Sequence, residues 1–429
     1  MAGASIKQNS ENPWNIQETA FAVFVNTESS EDNFIEEELY GLCEAANVEI
    51  LGHTRQRVER PTKRSFIGSG KLLELKAFLA ETQADVVLFD CELTGIQARN
   101  ITEVLEKKVI DRTQLILDIF ARRAKSREGQ LQVELAQLTY MMPRLMSVYT
   151  KFERQRGGIG MRGPGETKLE ADKRMIRDKI RHLTHDIEDV KKHRQLQRNS
   201  RRKNPYPFAT IVGYTSAGKS TLMNTLSGSE LLADAMPFAT LDPTTRKVEL
   251  PDGYAVFLTD TVGFIRNLPT HLVAAFRATL EEVLEADFVL HVIDISAPNW
   301  EAQRDAVIDT LDNLGAHDKE MIQVLNKVDI VEDRAFLTEA VSTMENSVSI
   351  SAEQGTGIPD LLNLMRVQVQ KHLGLITALI PYSQQSLLDA CFKYGRVLKQ
   401  EYREDGVYIE AELVPHMRNM LDQFVIETP

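Results

Sequence analysis

Phe208-Ala209-Thr210-Ile211-Val212 runs into Gly213-Tyr214-Thr215-Ser216-Ala217-Gly218-Lys219-Ser220 and on into Thr221-Leu222-Met223-Asn224. The first five residues have the unbroken apolar and β-branched character of a buried strand, and the last four open a helix. Between them stands G-x-x-x-x-G-K-S, a phosphate-binding loop in the strand–loop–helix setting that its chemistry requires. Gly213 and Gly218 let the backbone wrap a polyphosphate, so that loop N–H groups and the positive end of the helix meet its charge. Lys219 supplies a cation to the β- and γ-phosphates, and the Ser220 hydroxyl supplies a ligand for Mg2+.

Downstream, Ala255–Thr259 reads as a strand ending in Asp260-Thr261-Val262-Gly263. A carboxylate at a strand end in this fold can hold Mg2+ through water, and Gly263 lets its N–H approach the γ-phosphate. Between the two motifs lies Phe238-Ala239-Thr240-Leu241-Asp242-Pro243-Thr244-Thr245. Thr240 is the expected switch hydroxyl on Mg2+, Thr244 or Thr245 is the fallback, and a plain threonine-rich loop is the alternative. Met321–Leu325 is a further strand, followed by Asn326-Lys327-Val328-Asp329. The Asp329 carboxylate can accept two hydrogen bonds from guanine N1–H and its exocyclic amine, a pair that adenine lacks. The Lys327 stem can cover the base, and Asn326 can brace the loop. Ser351-Ala352-Glu353 then offers a backbone N–H to guanine O6. Four motifs in this order, each at a strand end, specify GTP and GDP over ATP.

Phe264 stands after Gly263, where many GTPases carry a glutamine that positions water. A phenyl ring makes no hydrogen bond to water, so unassisted hydrolysis is expected to be slow, and the catalytic residue is unassigned. The missing group must come from another loop, a monovalent cation or a partner in trans.

Upstream, residues 20–111 alternate strand-like and helical stretches, the pattern of a small α/β domain. Strands are expected at Ala20–Asn26, Val48–Leu51 and Asp85–Phe89, and helices at Ile35–Ala46, Lys71–Glu81 and Gly95–Lys107. Gly68-Ser69-Gly70-Lys71 resembles the end of a phosphate loop, but Ser65 holds the first glycine position and Leu72 follows the lysine, so a turn before a helix is expected. Leu131, Leu135, Leu138, Met142 and Leu145 form one heptad seam; Ile176, Ile180, Leu183, Ile187 and Val190 form another. Two long antiparallel helices over 115–152 and 168–200 follow, with a kink at Pro143 and a glycine-rich loop over 157–167. After residue 375, Leu375–Pro381 and Val407–Leu413 read as strands around a helix at Ser386–Tyr394, with a hairpin turn at Glu404-Asp405-Gly406.

The chain has 429 residues and a net charge of −12, which alone speaks against a nucleic-acid partner. The charge is unevenly spread. Residues 151–203 hold 17 Lys and Arg against 8 Asp and Glu, or +9, so the remainder carries −21. A solvated helix face is the ordinary reading of such a run. Here it continues through Arg154, Arg156 and Arg162 and ends on Arg201-Arg202-Lys203, which favours a polyanionic partner. No apolar run is long enough to span a bilayer, no signal peptide is visible, and Cys43, Cys91 and Cys391 make neither a disulfide framework nor a zinc spacing.

Taken with Phe264 and Phe238–Thr244, the motifs resemble the HflX family of bacterial translational GTPases over nearly the whole chain. The most specific part is Arg156-Gly157-Gly158-Ile159-Gly160 with Arg162-Gly163-Pro164-Gly165-Glu166-Thr167, placed ahead of the GTPase motifs. The resemblance implies an α/β fold. In it a P-loop GTPase domain (204–372) follows a small α/β domain (1–112) and a long antiparallel helical hairpin (113–203), and precedes a small α+β domain (373–429). It implies GTP hydrolysis with Mg2+ on Ser220 and Thr240. It also implies binding to the 50S subunit and its 23S rRNA through Arg154, Arg156, Gly157, Gly158 and Arg162 at the hairpin tip, ribosome-stimulated turnover, and splitting or rescue of 70S particles under stress. A DNA partner and a transmembrane segment are not expected. The protein is expected to be monomeric when free and cytoplasmic, with peripheral membrane association left open. The family commonly has Asn at the position of Ser216, where related GTPases use it to hold potassium; serine keeps one oxygen but is shorter, which leaves K+ stimulation open. A large-subunit assembly GTPase and a GTP-gated rRNA-binding module with incidental turnover remain the alternatives.

Overall fold

The computed structural model describes residues 18–26, 32–58, 60–154, 164–201, 206–228, 238, 243–266 and 282–426. They form two compact units, one of residues 1–119 with 140–175 and one of residues 120–139 with 176–429.

In the first unit, β1 (Glu18–Asn26), β2 (Val48–Arg57), β3 (Val86–Phe89) and β4 (Lys108–Asp111) make a parallel sheet in the order β2-β1-β3-β4. The connections are α1 (Asp32–Ala45), α2 (Ser69–Thr82) and α3 (Gly95–Leu105). Thr94 caps α3 in a reciprocal box with Gln97, satisfying two otherwise orphaned amides. The core holds Phe21, Val23, Leu75, Val87, Phe89 and Ile101. At the C-terminal end of β4, buried Asp111 accepts from Tyr140 Oη at 2.6 Å, from Arg144 at 2.6 Å and from Leu93 N–H at 3.0 Å. Arg112 beside it is paired with Asp90 at 2.7 Å and with Glu38. Buried charges of this kind persist when paired with opposite charge and hydrogen-bonded.

The expected first long helix is two helices, α4 (Arg112–Arg123) and α5 (Arg127–Arg154). The break has a local cause: Ser126 Oγ accepts from Gly129 N–H at 2.9 Å, a helix-start cap that begins α5 afresh. α5 continues through Pro143. The second helix, α6 (Pro164–Arg201), begins inside the stretch expected to be loop, with Pro164 in the first-turn position that proline tolerates. Within the second unit, Lys179 of α6 pairs with Glu134 of α5 at 2.5 Å, and Leu183 and Ile187 of α6 and Val133 and Ala136 of α5 are buried.

The second unit is built on a six-stranded sheet, β10-β9-β8-β5-β7-β6. Its strands are β5 (Phe208–Gly213), β6 (Thr244–Glu249), β7 (Ala255–Asp260), β8 (Phe288–Asp294), β9 (Glu320–Asn326) and β10 (Ser347–Ser349). All are parallel except the edge strand β6, which runs antiparallel to β7. β5 is central and covered on both faces, which is why it reads as an unbroken apolar run. Helices α7 (Lys219–Ser227), α8 (Trp300–Leu314), α9 (Arg334–Thr343) and α10 (Ile358–His372) connect the strands. Ile211, Leu222, Val256, Leu290, Val324 and Met365 lie in the main core, where each fully buried aliphatic side chain contributes about 1.5–3 kcal/mol.

The tail is a three-stranded antiparallel sheet of β11 (Gly374–Ile380), β12 (Arg396–Arg403) and β13 (Gly406–Leu413), with α11 (Gln385–Tyr394) and α12 (Pro415–Leu421). Tyr254, between β6 and β7, joins this sheet: its hydroxyl meets Arg396 Nη1 and Gln370 Nε2, each at 2.9 Å, and donates to Glu412. Among the described residues no helix is long and apolar enough to cross a membrane.

Candidate nucleotide site

The phosphate loop turns at the C-terminal end of β5, the edge where open α/β sheets bind ligands. Gly218 sits at φ +95, and a Cβ there would lie 2.2 Å from Asn326 Nδ2, so only glycine fits. Lys219, buried at 7% exposure, turns back into the loop and donates to the carbonyls of Gly213 at 3.1 Å and Tyr214 at 2.7 Å. Burial pushes its pKa down to about 8, and the nearby Asp260 carboxylate pulls the other way. Ser220 Oγ donates to Asp260 Oδ2 at 2.8 Å. Two hard oxygen donors brought together at the foot of the loop suit Mg2+.

The segment after Asp260 lies against the loop. Phe264 O accepts from Thr215 N–H at 2.7 Å, and Phe264 N–H donates to Gly213 O at 3.1 Å. The Phe264 ring is 2% exposed and turned into the core. The side chain expected to be useless to water is also withdrawn from it. Tyr214 is buried too, and its hydroxyl accepts from Arg266 N–H at 2.8 Å. A Cβ on Gly263 would come within 3.0 Å of Lys219 Nζ, which gives that glycine its reason. Thr261 Oγ1 donates to Ile211 O at 2.7 Å, and Val262 is buried, so both support the loop through packing.

Asn326 performs the predicted bracing. Its Nδ2 donates to Ala217 O at 2.8 Å, and its Oδ1 accepts from Ala352 N–H at 2.9 Å. One side chain thus ties the phosphate loop to both base-recognition segments. Ser351 N–H donates to Thr356 O, Glu353 is exposed, and so is Asp329. Lys327 has φ +66 and is ion-paired at 2.6 Å with Asp294, at the end of β8. Asp294 was not expected in the site; its signal was its place at a strand end, the same position that marks Asp260.

Phe238 is described, with its ring buried edge-on to Phe120 at 4.6 Å between centroids. That leaves only its backbone to face a nucleotide. Ser216 is exposed, at φ +61. The expected site residues Ala239, Thr240, Leu241 and Asp242, and the expected RNA contacts Arg156, Gly157, Gly158 and Arg162, lie outside the described residues, as does the side chain of Arg154.

A strand-end aspartate bonded to the loop serine, a lysine folded into the loop and an N-K-x-D asparagine bracing it define a P-loop GTPase. Comparison with known proteins agrees. Residues 35–121 match the family described as GTP-binding GTPase N-terminal, 123–201 the GTP-binding GTPase middle region, and 208–327 the 50S ribosome-binding GTPase. The GTPase HflX of Caldanaerobacter subterraneus subsp. tengcongensis is 44% identical over 93% of this chain and 92% of its own. That of Escherichia coli K12 is 40% identical over 90% and 91%. The crystal structure of a GTP-binding protein from the archaeon Sulfolobus solfataricus in complex with GDP covers 82% of this chain and 99% of its own, at 25% identity and a TM-score of 0.45. The chain belongs to the HflX family of GTPases, and its reaction is the hydrolysis of GTP to GDP and phosphate.

Proposed function

We propose that this GTPase binds the 50S ribosomal subunit and uses GTP to split or rescue 70S ribosomes under stress, the ribosome supplying the stimulus for hydrolysis. The observation that carries the reading is the +9 segment 151–203, which overlaps the latter part of the family's middle region (123–201) and immediately precedes a domain of the 50S ribosome-binding type. Polyanion binding concentrated there, with −21 elsewhere, suits local docking on rRNA over indiscriminate coating. The functional division is four domains, 1–112, 113–203, 204–372 and 373–429. Arg154, Arg156, Gly157, Gly158 and Arg162 meet 23S rRNA, and the protein acts as a cytoplasmic monomer before docking.

In the site, the loop amides and Lys219 bind the polyphosphate, and Asp329 and Lys327 bind guanine. Ser220 and Thr240 would hold Mg2+, with the Asp260 carboxylate beside Ser220 assisting. When bound, the ion offsets charge on the β- and γ-phosphoryl oxygens. Phe264, drawn into the core, leaves the attacking water to be oriented from elsewhere, which suits a switch that fires only when docked. The withdrawn ring also favours one second reading, a GTP-gated rRNA-binding module.

Sucrose-gradient sedimentation of 70S ribosomes separates the two. With GTP or a non-hydrolysable analogue, saturating protein is expected to convert 70S to subunits, and a variant lacking 157–166 to leave them joined. Intact 70S with the full-length protein rules out splitting.

A further inference from the structure

Asp294 belongs to none of the four motifs. It ends β8 directly beside Asn326 in the sheet, and its side chain is 15% exposed. Ser296 holds one of its oxygens: Oδ1 accepts from Ser296 N–H at 3.1 Å and from Ser296 Oγ at 2.5 Å. The other oxygen, Oδ2, lies 2.6 Å from Lys327 Nζ. A carboxylate fixed by its own loop in this way holds its partner in one direction.

Lys327 is held at its other end as well. Asn326 O accepts from Ile295 N–H, and Val328 N–H donates to Ile350 O, each at 3.2 Å. Val328 is buried in a small cluster with Ile293, Ile295, Leu325 and Leu337. With the backbone locked at φ +66 and the ammonium locked on Asp294, the methylene stem between them has both ends fixed.

We propose that Asp294 is a positioning residue of the base slot, holding the Lys327 ammonium so that the lysine stem stands as a preformed wall for the guanine ring. The proposal rests on the base-site reading of Lys327 and Asp329. A free lysine stem loses rotamer freedom when a base arrives; one ordered beforehand does not, and affinity rises accordingly.

The test is a double-mutant cycle on the full-length protein, with fluorescent GDP and XDP as probes. Asp294→Ala and Lys327→Ala are each expected to weaken GDP binding about tenfold, and the double variant to bind no more weakly than Lys327→Ala alone. In steady-state assays the loss is expected to fall on KM for GTP rather than on kcat, a split that a general weakening of the fold would not produce. Asp294→Asn, which keeps an acceptor for Ser296 but removes the charge, repeats the measurement should the alanine variant fold poorly. Wild-type affinity in Asp294→Asn, or losses that multiply in the double variant, overturns the proposal. The underlying reading fails separately: Asp329→Asn is expected to move preference from GDP to XDP, and retained guanine preference there rejects the base slot itself.

Discussion

Two Gly-Lys turns open helices in this chain, and only one is built for phosphate. At the start of α7, Gly218 is pressed against Asn326, Lys219 is buried and folded back onto two loop carbonyls, and a strand-end aspartate stands beside Ser220. At the start of α2, a Cβ on Gly70 would meet nothing within 4 Å, and Lys71 pairs with Glu74 one turn along its own helix at 2.8 Å. Both helices lack a side-chain cap at their first turn. A helix N-terminus and a lysine are therefore insufficient. What distinguishes the first turn is enclosure: long-range partners fix the loop before any ligand arrives, so its amides need little reorganisation to receive one.

The comparison can be broken most directly by exchanging roles. Lys219→Ala is expected to lower GTP affinity about 100-fold, the scale of a lost charged hydrogen-bond contact. Lys71→Ala is expected to leave affinity untouched. Equal losses by fluorescent-nucleotide titration would make the α2 turn a second phosphate site. The glycines come next. Gly218→Ala is expected to destabilise the protein by about 1–3 kcal/mol in addition to losing nucleotide, because the new methyl meets Asn326 at a left-handed backbone position. Gly70→Ala, in open space, is expected to add about 0.5 kcal/mol through helix propensity. Chemical denaturation reads both signs.

A smaller effect sharpens the electrostatics. With its pKa depressed to about 8, Lys219 is charged in both folded and unfolded chains below that pH, and the cost of burying the charge is fully present. As pH rises through 8 toward the ordinary lysine range, the folded chain releases its proton first and stability increases. A polyphosphate restores the proton, so calorimetry above pH 8 in buffers of different ionisation enthalpy is expected to show uptake of up to one proton per nucleotide, vanishing by about pH 6.5. Uptake that persists in Lys219→Ala assigns the proton to another group.

Much of this site was legible because its constraints are written locally. β5 is buried on both faces and therefore continuous in apolar character, and each motif follows a strand. β6 escaped notice because it is an edge strand with only Val248 turned inward. β4 escaped because only two of its four residues are buried, whereas the equally short β3 is buried throughout and reads as an apolar run. The division of the first long helix depended on a single serine cap, which heptad spacing does not register. Asp294 was invisible for a different reason: its role arises from a neighbour 33 positions away in sequence, brought beside it by sheet register.

The strand order also sets a timetable for synthesis. Every partner in the first sheet exists once Asp111 has been made. β5, at the centre of the second sheet, pairs Ala209 with Phe288 on β8. At about 5–20 residues per second, the strand that leads into the phosphate loop therefore waits about 4–16 s on the translating ribosome for that partner. During that interval the β8-facing edge of β5 is unpaired, an open strand edge of the kind that invites aggregation.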